Sequence, residues 1–333
     1  FQPTRAGYCA CGIELKGYGM SAGGSTKVVV AALIGNGLIA VAKFTASAFT
    51  GSSAMLSEAI HSTVDTGNQA LILYGLKCAK KPADDTHPFG YGMELYFWTF
   101  VVAILIFAIG SGVSLYEGVE KILNPHPVTD PWVNYLILGV AMIIEGAAWT
   151  YAFREFKASK GHLGYMAGIR ESKDPAVFTV LMEDTAAMLG LAVAFVGIAV
   201  GEWLNMPVLD GVASIFIGVI LAIVAVILAV ECKGLLIGEG ARSSTVRGIR
   251  AIATATVGVK GVNELLTMHL GPRDILVTLS LDFTDDITSE DVETLISTME
   301  REIKESYDDV TRVFIEAQSQ RGHQADTQGS LAV

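Results

Sequence analysis

The chain has 333 residues, 51% hydrophobic and only 17% charged, where soluble domains carry roughly 25% charged residues. Its net charge of −11 has to be localised before it means anything, and residues 240–333 hold 15 Asp/Glu against 9 Lys/Arg. An acidic C-terminal part argues against nucleic acid as a partner and against a polybasic lipid-binding surface.

Residues 1–26 are Gly-rich and read as a cytoplasmic N-terminal segment, without the charged-then-apolar order of a cleaved signal peptide. Cys9 and Cys11 form a C-x-C pair without nearby partner ligands, which reads as plain reduced thiols. With Cys78 and Cys232 they imply no disulfide framework. A membrane span needs ~20 mostly apolar residues. Six such runs follow: Val28–Thr50, Ala54–Leu76, Leu95–Tyr116, Trp132–Phe153, Ala176–Trp203 and Val208–Val230. They define a six-helix transmembrane domain over 27–232, with a linker at 233–243.

Past Val230 charges recur every few residues and no further span exists. Residues 244–318 read as a soluble domain in the order helix–strand–strand–helix–strand. Ser244–Thr256 has helical spacing, and Gly271-Pro272-Arg273 is a turn between strands Val262–Leu270 and Asp274–Phe283. Thr288-Ser289-Glu290-Asp291 is a capped helix start, and Val310–Ala317 is a third strand. The expected fold is a small ferredoxin-like α+β layer behind an α-helical membrane bundle. That domain shows no nucleophile motif, phosphate loop or C-x-x-C, so no enzyme active site is placed in it. The polar tail, 319–333, is expected to be flexible.

Lys and Arg mark the cytoplasmic side of short loops. Lys77, Lys80 and Lys81 follow the second run, and Arg154, Lys157, Lys160, Arg170 and Lys173 follow the fourth. The opposite loops hold little beyond Lys121, so both termini are expected in the cytoplasm.

Ionisable groups inside a span are expensive unless paired or hydrated, and so mark function. The second run carries His61 and Asp65, one helical turn apart on one face, followed by Asn68 and Gln69. An imidazole and a carboxylate so placed make half of a tetrahedral metal site, and zinc accepts that set. The fifth run carries Glu183-Asp184, and the fourth carries Glu145 at a similar depth. The adjacent carboxylates point roughly 100° apart on a helix and need not share a task. Lys43 in the first run reads as a snorkelling or acid-paired lysine, and Asp210 as a helix cap at the start of the sixth.

At these residues the sequence resembles the cation diffusion facilitator family, over about residues 27–318. His61-x-x-x-Asp65 corresponds to that family's metal-binding pair. Pro82 to Gly92 looks like its loop motif, and Leu235-Leu236-Ile237-Gly238-Glu239 like its linker into the soluble domain. Ser172-Lys173-Asp174-Pro175 through Glu183-Asp184-Thr185-Ala186-Ala187 is most similar to the zinc transporter 9 branch. Most of the family reads His-x-x-x-Asp in span five; here Asp184 fits, but Val180 stands at the His position. In the family's loop site Asp84 and His87 match two of three ligands and Tyr91 replaces the third, which predicts a weak or absent secondary metal site. Only His269 lies in the folded soluble part, so no multi-His cluster is expected there.

The resemblance implies a homodimeric, proton-coupled efflux transporter for a divalent cation, zinc first, without a cofactor. The metal ligands are expected to be His61, Asp65 and Asp184, with Glu145 or Glu183 as the fourth. One nitrogen with several carboxylate oxygens also suits manganese, iron or cobalt. A membrane metal sensor or scaffold is the reading from another class; an intramembrane hydrolase has little support. A bacterial inner membrane fits, and so would an organelle.

Overall fold

The computed structural model describes residues 22–159, 164 and 175–330. Cys9 and Cys11, and Lys160, Arg170 and Lys173 of the fourth-to-fifth connection, lie outside them. Among the described residues six long helices come first: α1 (Ala22–Thr50), α2 (Ser53–Ala79), α3 (Glu94–Leu123), α4 (Pro131–Ser159), α5 (Pro175–Leu204) and α6 (Val208–Leu236). Helices α3 to α6 are long and apolar enough to cross a membrane. α1 and α2 match them in length, at 29 and 27 residues. In α2, however, Ser57, Glu58, His61, Asp65, Asn68 and Gln69 displace apolar residues.

The helices share one core, in which Met55, Leu95, Tyr96, Ile106, Leu138, Phe178, Leu191, Ile217 and Leu221 are buried. α1 packs on α2, α4 on α5, and α6 against both α3 and α5. A π-helical stretch, Ile106–Ser111, interrupts α3 where it meets α6. α3 runs past Tyr116, where the apolar sequence ends, because its last turns still bury Gly118 and Lys121.

The first three N–H groups of a helix lack intrahelical partners. In α2 the hydroxyl of Ser52 accepts from Met55 N at 3.1 Å. The Asp210 carboxylate takes the other two, accepting from Ser53 N at 2.7 Å and Ala54 N at 3.4 Å. It also accepts from the hydroxyls of Ser52 (2.6 Å) and Ser53 (3.1 Å). Asp210 is therefore a cap for α2 rather than for its own helix. Lys121, expected in an opposite loop, is buried, with Nζ donating to Gly51 O at 2.7 Å and lying 3.7 Å from Asp210.

The C-terminal part comprises α7 (Ser243–Ala255), β1 (Val259–Gly271), β2 (Asp274–Phe283), α8 (Ser289–Ser306), β3 (Val310–Ala317) and α9 (Gln320–Ser330). The sheet order is β1-β2-β3, antiparallel between β1 and β2 and parallel between β2 and β3. Leu279 on the central strand pairs with Leu265 on one side and Ile315 on the other. Its core joins Val277, Leu279 and Leu281 to Ile249 and Ala253 of α7 and Met299 and Ile303 of α8. The expected cap of α8 is a reciprocal box between Thr288 and Asp291. Within the tail, Gln320–Ser330 forms α9, preceded by Ser319, whose hydroxyl accepts from Gly322 N at 3.2 Å. This is the Ser N-cap signal at the head of an otherwise featureless polar segment.

Candidate metal centre

The helical turn between His61 and Asp65 brings His61 Nδ1 to 3.3 Å from Asp65 Oδ1. His61 is 1% exposed. Both of its ring nitrogens and Asp65 Oδ1 are buried without a hydrogen-bond partner. One turn on, Asn68 Nδ2 donates to Glu183 Oε1 at 2.8 Å and ties α2 to α5 at this level. Asn68 Oδ1 and Gln69 Oε1 are also buried and unpartnered. Asp65 interacts electrostatically with Glu183, Glu145, Lys43 and Asp184. Beside Asp184, Thr185 Oγ1 accepts from Trp149 Nε1 at 3.0 Å, which fixes α4 against α5.

Each buried polar atom left unpaired costs about 1–3 kcal/mol, and native structures keep few of them. Here they gather on one stretch of α2, and all but the imidazole nitrogens are acceptors only. Protons or a cation would satisfy such a set. Among the described residues no three His, Cys, Asp or Glu side chains are already drawn together as a ready metal-ligand group. His61 and Asp65 pair on α2 and Glu183 is held to that helix through Asn68, so these groups form contacts between helices rather than a closed coordination sphere.

Glu145 has a different partner from the one its depth suggests. Lys43 of α1 is completely buried, and its Nζ donates to Glu145 Oε1 at 3.1 Å, Glu58 Oε2 at 3.1 Å and Ser62 Oγ at 2.8 Å. Lys43 does not snorkel; all three ammonium donors are used inside the bundle. Glu58 was missed as a functional residue, although it stands one turn before Ser62 in the same polar run. Its signal was its charge at mid-span. The space for its carboxylate comes from Gly190 of α5, where an added Cβ would lie 2.2 Å from Glu58 Oε1.

The expected loop pair, Asp84 and His87, lies in the α2–α3 connection, and both side chains are about half exposed. His87 Nδ1 is 3.6 Å from Asp84 Oδ1. Asp84 instead accepts from Tyr91 Oη at 2.7 Å, Thr86 Oγ1 at 2.8 Å and His87 N at 2.7 Å. Those donors, the tyrosine first, hold the Asp84 carboxyl well below its ordinary value. The Tyr91 phenol is correspondingly raised by the carboxylate it serves. The residue that replaces the third ligand therefore occupies the aspartate, and the loop is shaped by hydrogen bonds. It also meets the soluble part: Arg312 of β3 donates to Phe89 O at 3.1 Å and lies over the Phe89 ring.

Residues 29–237 match the cation efflux transmembrane domain, and residues 241–318 match the cation efflux protein cytoplasmic domain. The chain belongs to the cation efflux family. It is 31% identical over 263 residues to the human mitochondrial proton-coupled zinc antiporter SLC30A9, covering 78% of this chain and 46% of that protein. It is 24% identical over 265 residues to the cation-efflux pump FieF of Shigella flexneri, covering 77% and 81%. It is 22% identical over 266 residues to the magnetosome protein MamB of a Magnetospira strain, covering 80% and 85%. The chain spans about half the length of the SLC30A9 relatives it matches.

Proposed function

We propose that this cation efflux protein exports a divalent metal ion, zinc first, in exchange for protons, at a site formed by His61, Asp65 and Asp184 with Glu183 or Glu145 completing it. The observation that carries this reading is the line of buried acceptors without hydrogen bonds on α2, a helix tied to α5 by the Asn68–Glu183 bond. Imidazole and carboxylates bind metal only when deprotonated, so metal entry releases protons and protons compete for the empty site. Opening that site alternately to the two membrane faces turns the competition into antiport. The human relative named as a proton-coupled zinc antiporter supports zinc and protons as the exchanged pair.

In this reading α1 to α6 are six spans, with the 244–318 domain, ferredoxin-like in outline, on the cytoplasmic side together with both termini. Two copies pair partly through these domains. The loop residues Asp84 and His87 hold no more than a weak secondary ion. The mitochondrial naming of the SLC30A9 relatives favours an organelle of that kind over a bacterial inner membrane.

The test is metal-driven proton flux across sealed vesicles holding the purified chain, with zinc, manganese, iron and cobalt supplied in turn. Zinc should drive the largest flux, and Asp184→Asn should abolish it while leaving the protein folded. Flux unchanged by Asp184→Asn refutes the site. Absence of flux with every metal favours a sensor or scaffold instead.

A further inference from the structure

Lys43 has no role in the ligand set proposed above, yet it is a fully buried charge with all three donors engaged. Its side chain and that of Glu58 are 0% exposed. It spans three helices, touching Glu58 and Ser62 of α2 and Glu145 of α4 from α1. Ser62 adjoins His61 in sequence, and Glu58 precedes Ser62 by one turn, so the ammonium contacts the turn of α2 that carries the first proposed ligand. It binds one oxygen from each glutamate. The other two, Glu58 Oε1 and Glu145 Oε2, are buried without partners. Two carboxylates with free lone pairs, buried next to an imidazole and an aspartate, would be metal ligands if nothing else held them. What holds them is a cation built into the chain.

We infer that Lys43 is a positioning residue that withholds Glu58 and Glu145 from the transported ion, leaving that ion to His61, Asp65 and the α5 carboxylates. This rests on the transport site proposed above and narrows it, with Glu183 rather than Glu145 in fourth place. The physical basis is competition for the same oxygens. Close to a point charge at low effective dielectric, each additional free carboxylate raises the attraction for a divalent ion steeply. A site offering every acid in this bundle would hold its ion too tightly to release it on each cycle. A tethered ammonium takes two of those acids out of the coordination sphere while holding one oxygen of each by a charge-assisted hydrogen bond in the membrane core. Gly190 is the matching feature on α5, since a Cβ there would overlap the Glu58 carboxylate in the position where Lys43 holds it.

The experiment measures zinc binding and thermal unfolding of the full chain in detergent, with vesicle flux alongside. Lys43→Met should lower metal-free stability, because two buried carboxylates lose their cation. It should tighten zinc binding by on the order of tenfold or more and slow vesicle transport. Zinc should therefore raise its unfolding temperature by more than it raises that of the wild type. Lys43→Met with Glu145→Gln should bring affinity back toward the wild-type value. Should Lys43→Met fail to fold, the triple variant Lys43→Met, Glu58→Gln, Glu145→Gln should recover metal-free stability, and its failure to do so overturns the inference. Zinc affinity unchanged or weakened in Lys43→Met also overturns it. Asp65→Asn and Asp184→Asn serve as controls: zinc binding that survives both refutes the transport site itself, whatever the lysine variants do.

Discussion

Asp210 gives the most quantitative consequence of this architecture, because its four bonds are all buried and all end on the start of α2. Replacing it with Ala leaves the N–H groups of Ser53 and Ala54 without acceptors and Lys121 without its carboxylate. Breaking one partner out of a buried ionic group costs about 3–5 kcal/mol. That range is the expectation for Asp210→Ala, because the separate bonds are made by one group and do not add. Asp210→Asn keeps one oxygen. The serine hydroxyls can turn to accept from its NH2, but the backbone N–H that faces that NH2, Ser53 or Ala54 according to the amide's orientation, cannot. One bond to a charged group is lost, about 1.5–3 kcal/mol. Reversible unfolding in mixed micelles, followed by tryptophan fluorescence, should rank wild type above Asn above Ala. Proteins are stable by only about 5–15 kcal/mol, so the Ala variant should sit near the edge of folding. An Asp210→Ala protein as stable as wild type, or an Asn variant worse than Ala, would refute the clamp.

Two further outcomes follow from named contacts. Gly211→Ala should destabilise by up to about 2 kcal/mol: Ala gains roughly 1 kcal/mol of helix propensity, but its Cβ would lie 2.8 Å from the backbone oxygen of Gly118, and such overpacking costs about 1–3 kcal/mol. Gly139→Ala, with nothing within 4 Å of its Cβ, should be neutral or stabilising in the same unfolding assay. In the α2–α3 loop, the depressed Asp84 carboxyl stabilises the fold fully above its ordinary value of 3.8, and that contribution is lost only as pH falls through its lower folded value. Tyr91→Phe should shift an NMR titration of the Asp84 carboxyl upward; an unmoved titration would mean that the phenol is not its main donor.

Much of the fold could be read from one dimension, and its failures have local causes. Apolar runs and their polar breaks located each long helix to within a few residues at most ends. The exceptions are the start of α1 at Ala22 and the ends of α3 at Leu123, α4 at Ser159 and α6 at Leu236, which extend beyond the apolar runs; the last turn of α3 is amphipathic and is buried by contacts with Gly51 and Asp210 that hydropathy does not report. Strand β3 and the Thr288 cap were visible because turn chemistry and alternation are local signals. The charges on α2, α4 and α5 were visible because they are costly in lipid. Their pairing was not. Lys43 reaches Glu145 across 102 positions, and no periodicity marks which acid a lysine chooses. Asp210 was read as a cap correctly, but of the wrong helix, since its acceptor geometry depends on how α6 lies against α2.

The convergence of one imidazole with several carboxylates on one ion is best tested by X-ray absorption at the zinc edge on the purified, zinc-loaded chain. The expected spectrum has a single nitrogen scatterer with two or three oxygens near about 2.0–2.2 Å and no sulfur, and zinc should be absent from Asp65→Asn and Asp184→Asn samples. A sulfur contribution, two or more imidazoles, or an unaltered spectrum in the Asp184→Asn protein would contradict it.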